Sequence, residues 1–182
     1  MNRFSRLVFA LALALAGAGP ALAQGPAQTP KPTPDHKKLE YYIGKWTLES
    51  DVKASPFGPA GKNTGTEEVE LGPGGFFVIF HDDIKGPAPM KATGILGYDG
   101  GAKYYTYYGV DSSGNVNVGK GNVAGNAWTW NTEGKVAGKV VKGRATINIT
   151  SPSSYTFKFE IADDDDKGAF TTIEEGKAMK TR

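Results

Sequence analysis

The feature that most constrains this chain is an alternation of period two that returns, segment after segment, from Trp46 to the C-terminus. Near the end, Tyr155, Phe157, Phe159 and Ile161 interleave with Thr156, Lys158 and Glu160. A period of two sends successive side chains to opposite faces, so each such segment is a half-buried strand. Trp46, Leu48, Ser50 and Val52 stand against Thr47, Glu49, Asp51 and Lys53 in the same way. Glu67, Val69 and Leu71 alternate with Glu68 and Glu70, and Ile147 and Ile149 with Asn148 and Thr150. Trp128 and Trp130 share one face, with Thr129 on the other. Residues 76–81, 91–98, 103–109, 114–123 and 170–180 read as further strands.

Turn signals separate these segments: Pro56, Gly58, Pro59 and Gly61, then Gly72-Pro73-Gly74-Gly75, Asp99-Gly100-Gly101 and Asp111-Ser112-Ser113-Gly114. The connections are too short for the crossovers that parallel strands need. About ten short antiparallel strands must bury one sheet face and protect their edges, which leaves a closed barrel or a sandwich. Uniformly short hairpins and unbroken alternation favour an all-β, antiparallel up-and-down barrel. The one helical signal lies before the first strand. Asp35 is placed to cap it, Leu39, Tyr42 and Ile43 fall on one face, and Gly44 ends it. Such a helix is placed to plug one end of the barrel.

The region before Asp35 is of a different kind. Arg3 and Arg6 precede the apolar run Leu7–Leu15, and Ala21-Leu22-Ala23 offers small residues around a larger one, so residues 1–23 read as a cleavable signal peptide. Gly17, Gly19 and Pro20 break the apolar run well short of the about 20 residues of a spanning helix. No membrane anchor is therefore expected. The chain has no cysteine, which excludes both a lipidated N-terminal cysteine and any disulfide. Cleavage near Ala23 predicts a periplasmic or secreted protein. Residues 24–34 carry four prolines in eleven positions and read as an extended, solvated linker, with residues 35–182 as the barrel domain.

Removing the leader also removes the apparent basicity. The full chain has 21 Lys and Arg against 19 Asp and Glu, and losing Arg3 and Arg6 leaves 19 against 19. A neutral domain has no general attraction to nucleic acid or anionic lipid.

Two resemblances follow from particular phrases. Gly44-Lys45-Trp46, entering the first strand after a short helix, resembles the Gly-x-Trp signature of lipocalins and other calycins. The resemblance implies a tryptophan packed across the barrel floor under a basic residue from a late strand, with Lys180, Arg182 and Arg144 available. A broader resemblance runs through residues 36–40, 55–59, 94–99 and 105–109, Trp128-Thr129-Trp130 and residues 154–157. These phrases are similar to the bacterial family of domains of unknown function numbered 1579. That family implies a calycin-like barrel, often exported, and brings no catalytic residues with it.

Most catalytic chemistry lacks its residues. There is no Cys, and His36 and His81 are the only histidines, too few for a three-His metal site. Residues 109–114 have the wrong spacing for a nucleophile elbow and join two strands, so Asp111 is expected to cap a turn. Residues 114–121 match the glycine and lysine spacing of a phosphate loop, but Gly121 stands where Ser or Thr is required and no helix follows. His36 is expected to be exposed. His81 shares parity with Phe77 and Ile79 and would reach a haem iron only if that face were inward. The run Asp163–Asp166 lacks a calcium loop's spacing and reads as a charged hairpin tip. No catalytic residue, metal or cofactor is assigned.

What remains is aromatic. Trp46, Tyr105, Tyr107, Trp128, Trp130, Tyr155 and Phe157 are the candidate ligand-binding residues, because they can converge on one interior. Rings there either fill the core of a small barrel or line a cavity for an apolar or aromatic ligand. The resulting expectation is an exported, non-enzymatic barrel that binds a small, largely apolar molecule. A barrel hydrolase or isomerase and an envelope interaction module are the alternatives.

Overall fold

The computed structural model describes residues 30–87, 89–136, 139–163 and 169–181. The leader and most of the proline-rich linker lie outside these residues, as do Asp164–Asp166 of the acidic run. Contacts divide the chain into two units at Pro30/Lys31, and the second, Lys31–Arg182, contains every strand.

Ten antiparallel strands close into one barrel: β1 (Gly44–Val52), β2 (Gly61–Leu71), β3 (Phe77–Lys85), β4 (Met90–Asp99), β5 (Tyr104–Asp111), β6 (Val116–Ala124), β7 (Ala127–Val136), β8 (Lys139–Ser151), β9 (Ser154–Asp163) and β10 (Thr171–Lys180). Each strand pairs with its neighbour in sequence, and β1 pairs with β10, Trp46 opposite Lys180. Closure satisfies the edges that an open sheet would leave unpaired. The inward faces follow the alternation. Trp46 and Leu48 on β1, Val78 and Phe80 on β3, Tyr105 and Tyr107 on β5, Trp128 and Trp130 on β7 and Tyr155 and Phe157 on β9 all point to the axis.

The helical segment starts earlier than its sequence suggests, with Thr33 rather than Asp35 at the cap position. α1 (Pro34–Lys37) continues as a tighter 3-10 run over Lys38–Tyr42. Thr33 precedes the first turn, where the His36 ring accepts a hydrogen bond from its backbone N–H at 3.1 Å. Pro34 takes a first-turn position where its missing N–H costs nothing. Leu39 and Tyr42 sink into the barrel end, 1% and 3% exposed. The Tyr41 hydroxyl lies 3.1 and 2.9 Å from the carbonyls of Ser151 and Ser154, and the Tyr105 hydroxyl donates to the Asp35 carbonyl at 3.1 Å. These bonds fix the segment as a floor across β5, β8 and β9.

Two strands begin well before their apolar signal. β2 starts at Gly61, although alternation becomes visible only at Glu67, because its earlier inward positions are Asn63 and Gly65. β8 starts at Lys139, and its inward positions Val141, Gly143 and Ala145 are small. Small and polar inward residues are silent to a hydrophobic pattern. Leu71, which shares parity with Val69, ends 48% exposed, because β2 has by then passed the barrel rim.

Candidate functional site

The seven candidate aromatics all face the lumen, but they form two tiers. At the floor, Trp46 and Tyr155 lie 5.0 Å apart between ring centroids, and Tyr42 from the helical segment meets Trp128 at 5.3 Å. Tyr105 meets Trp128 at 4.7 Å and Tyr98 at 4.9 Å. Trp46 and Trp128 are 0% and 2% exposed, so this tier is packed core. Lys180 completes it. Its Nζ stands 4.8 Å over the Trp46 ring and donates to the Tyr41 carbonyl at 3.1 Å. The basic residue over the signature tryptophan is thus Lys180. Arg144 instead faces outward, its Nε 2.8 Å from Glu160 on the neighbouring strand, and Arg182 lies outside the described residues.

Above the floor, Trp130 stacks on Trp128 at 6.0 Å and 14°, and Tyr107 stacks on Phe80 at 5.8 Å and 13°. Phe157 and Phe159 lie 5.2 Å apart along the inward face of β9. Two glycines let these rings lie flat against the wall. A Cβ at Gly121 would stand 2.5 Å from the Trp130 ring, and one at Gly176 would stand 2.6 Å from Phe157. A larger residue at Gly121 would push the ring toward the axis, and one at Gly176 would also run into the Glu49 carbonyl of β1.

Burial falls along the axis. Inward residues beside the helical floor (Trp46, Val69, Val78, Tyr155 and Ala178) are buried, whereas those at the opposite end (Val52, Asn63, Ile84, Met90, Thr132 and Phe159) are half-buried. Most inward side chains away from the helical segment are thus less buried than those beside it, with Val141 (7% exposed) the exception at the far end and Tyr98 and Ile149 half-buried at the near one.

Polar groups interrupt the lumen wall from the floor, where Glu67 stands opposite Trp46, to the mouth. Glu67 on β2 and Asp82 on β3 are register partners with the same inward parity. Tyr155 donates its hydroxyl to Glu67 Oε2 at 3.3 Å, while Asp82 Oδ1 is shielded from solvent and has no hydrogen-bond partner. Burial raises both carboxyls well above the ordinary range, Glu67 to about 8 and Asp82 to about 7, with the Asp82 charge adding to the effect on Glu67. Nearer the mouth, Glu174 Oε1 accepts from Ser50 Oγ at 2.5 Å and from Asn63 Nδ2 at 3.1 Å. The Asn63 Oδ1 is buried and unpartnered. Burial also raises the Tyr107 phenol, to about 12, so it remains a donor at any working pH.

Of the two lumen carboxyls, Glu67 was readable by parity and Asp82 was not, because both faces of its strand are apolar. Glu67 shares a face with Val69, and Asp82 shares one with Val78 and Phe80. Composition hides them, because in both segments a second carboxylate follows on the outer face and the pair reads as surface.

The histidines do not join this site. The face of β3 that carries His81 is the outer one, so His81 is exposed, 3.0 Å from Thr93 Oγ1, and it does not reach an interior ligand. His36 is half-buried rather than exposed, edge-on to Phe76 and Tyr98 at 5.2 and 5.3 Å. Asp111 caps the β5–β6 turn, where its Oδ1 accepts from the Ser113 N–H at 2.8 Å and the Asn115 N–H at 3.1 Å. Gly114–Gly121 is that turn and the strand after it. Among the described residues, no group of three or more His, Cys, Asp or Glu is placed to hold a metal, and no helix is long and apolar enough to cross a membrane. A groove of about 600 Å³ runs along β1–β4, walled by the outward Lys45, Glu68, His81, Asp83, Lys91 and Thr93 and reaching Trp46, Glu67, Asp82 and Ala92. Its charges are mixed, with Lys45 paired to Glu68 at 3.3 Å and Lys91 to Asp83 at 3.1 Å.

A family model described as "Protein of unknown function (DUF1579)" matches residues 31–177. No curated protein sequence matches the chain. Among solved structures it is similar to Rv2717c from M. tuberculosis, with 11% identity and a TM-score of 0.58 over 84% of this chain and 100% of that one. A de novo designed fluorescence-activating β-barrel overlays at 13% identity and a TM-score of 0.42, over 80% of this chain and 98% of that one. A protein titled EF1p2_mFAP2b bound to DFHBI does so at 11% identity and a TM-score of 0.39, over 80% and 98%. At such identities the likeness is one of fold.

Proposed function

The chain belongs to the DUF1579 family of proteins of unknown function, and from that premise we propose that it is an exported barrel that binds a small, largely apolar molecule in the less buried half of its lumen. The observation that carries this reading is the gradient of burial. A core that served stability alone would be buried to both ends, whereas this one is closed by Leu39, Tyr42, Trp46 and Lys180 and carries half-buried inward side chains such as Val52, Ile84, Met90 and Phe159 opposite them. Tyr107, Trp130, Phe80, Phe157 and Phe159 supply the apolar wall, and a few polar atoms interrupt it, as in other small-molecule sites. Trp46, Trp128, Tyr105 and Tyr155 act from beneath as the platform that holds those rings in place. Export follows from the leader at residues 1–23 and gives the protein access to molecules in the periplasm or outside the cell.

The test is a fluorescence titration with a panel of apolar and aromatic molecules, using Trp130 as the reporter beside the lumen. Saturable shifts are expected for part of the panel. Val52→Trp, at the mouth, should abolish them, and Thr66→Trp, on the outer face of β2, should not. If no molecule moves the emission, or the two variants behave alike, the lumen is not the site.

A further inference from the structure

The lumen carries an electrostatic preference that its apolar wall does not explain. Among the described side chains that face it, the carboxyls are Glu67, Asp82, Asp111 and Glu174, and the cation is Lys180. Lys180 lies at the sealed end, committed to the Tyr41 carbonyl and the Trp46 ring. Asp111 is committed to its turn, and Glu174 to Ser50 and Asn63. Glu67 has one donor, Tyr155, and Asp82 Oδ1 has none. A buried carboxylate oxygen without a donor bears its full desolvation cost, so such an atom asks for a partner that the fold does not provide.

The surroundings define that partner. Phe80 lies two residues before Asp82 on the same inward face, and it stacks on Tyr107, whose phenol feels the Asp82 charge. Tyr42 and Tyr155 lie on the floor side of Glu67 and also feel its charge. An acidic pair bordered by ring faces is complementary to an organic cation, which donates to the carboxylates and rests against the rings. A bare divalent ion would need more oxygen ligands than two strands supply here.

We propose that Glu67 and Asp82 form the polar subsite of the lumen and receive a protonated amine, so that the ligand class is a small apolar or aromatic molecule bearing one basic nitrogen. This rests on the lumen being the binding site. The ammonium group lies between Asp82 Oδ1 and the Glu67 carboxylate, and the apolar body lies along Tyr107 and Trp130 toward the mouth. Because the amine pairs with ionised carboxyls, its binding strengthens as pH rises through their titration and releases protons. A neutral ligand accepting from the protonated acids would do the reverse.

The experiment compares 2-naphthylmethylamine with 2-naphthylmethanol, which share ring and chain length, by calorimetric titration of the wild type, Asp82→Asn and Glu67→Gln. At pH 8 the amine should bind the wild type about tenfold tighter than the alcohol or better. Each variant should bring that ratio close to one. Between pH 6 and 8 the wild-type affinity for the amine should rise. A wild-type ratio near one, or a ratio that both variants retain, overturns the subsite while saturable alcohol binding keeps the lumen reading intact. If neither probe binds, both readings fall. Circular dichroism of the variants checks that the barrel is intact, and removing a buried carboxylate is expected to leave it so.

Discussion

Lys180 Nζ stands 4.8 Å above the Trp46 ring and donates to the Tyr41 carbonyl, joining the last strand, the first strand and the helical floor through one side chain. β1 and β10 are the strands whose pairing closes the barrel, so this contact sits on the seam. It is made by residues that are distant in sequence but directly opposed in register.

Replacing Lys180 with Met keeps much of the packing stem but removes the cation and the donor. The expected cost is about 2 kcal/mol, the scale of a charge-assisted hydrogen bond plus a cation–π contact. Trp46→Ala should cost about 3–5 kcal/mol, as for a large ring removed from a sealed core. Urea denaturation of the two single variants and the double variant checks this. The double variant should fall short of the sum, because the Lys180 contact presupposes the ring.

The pH dependence of stability has a definite sign. Glu67 and Asp82 have folded values near 8 and 7, raised above their unfolded values near 4 by burial. Over that interval the folded state holds more protons than the unfolded chain, so stability falls as pH rises from about 4 to about 8. Thermal unfolding should give a higher midpoint at pH 5 than at pH 8.5. Glu67→Gln and Asp82→Asn should each flatten the slope, and the pair together should nearly remove it.

Gly121→Ala and Gly176→Ala test whether the wall is paved by flat rings. The added methyl at Gly121 would stand 2.5 Å from the Trp130 ring, and the one at Gly176 would stand 2.6 Å from Phe157 and closer still to the Glu49 carbonyl of β1. All are well inside van der Waals contact, so the expected destabilisation is about 1–3 kcal/mol, and greater at Gly176, where backbone must yield. Near-ultraviolet circular dichroism should report the displaced Trp130 ring in Gly121→Ala. Gly100→Ala, at a turn with open space around it, is the control and should cost little.

The barrel was legible because its strands repeat one rule, and an inward aromatic every second residue survives in any context. The floor was legible too, since Leu39, Tyr42 and Trp46 carry the helical and strand periods that place them. The early parts of β2 and β8 were not, because Asn63, Gly65, Gly143 and Ala145 face inward without a hydrophobic signature. Which face of β3 points inward was also hidden. Phe77 and Ile79 are as apolar as Val78 and Phe80, so that only the neighbouring registers decide, and they send His81 outward. For the same reason the inward turn of Asp82 appears only once the register with Glu67 is fixed.

The proposal that the lumen holds a ligand is tested most directly by native mass spectrometry of the protein purified from its own cells. The account predicts a fraction of the protein carrying one small molecule per chain, lost on organic extraction and recovered as an apolar compound with a basic nitrogen. A single bare mass, together with an emission spectrum that extraction leaves unchanged, would contradict it.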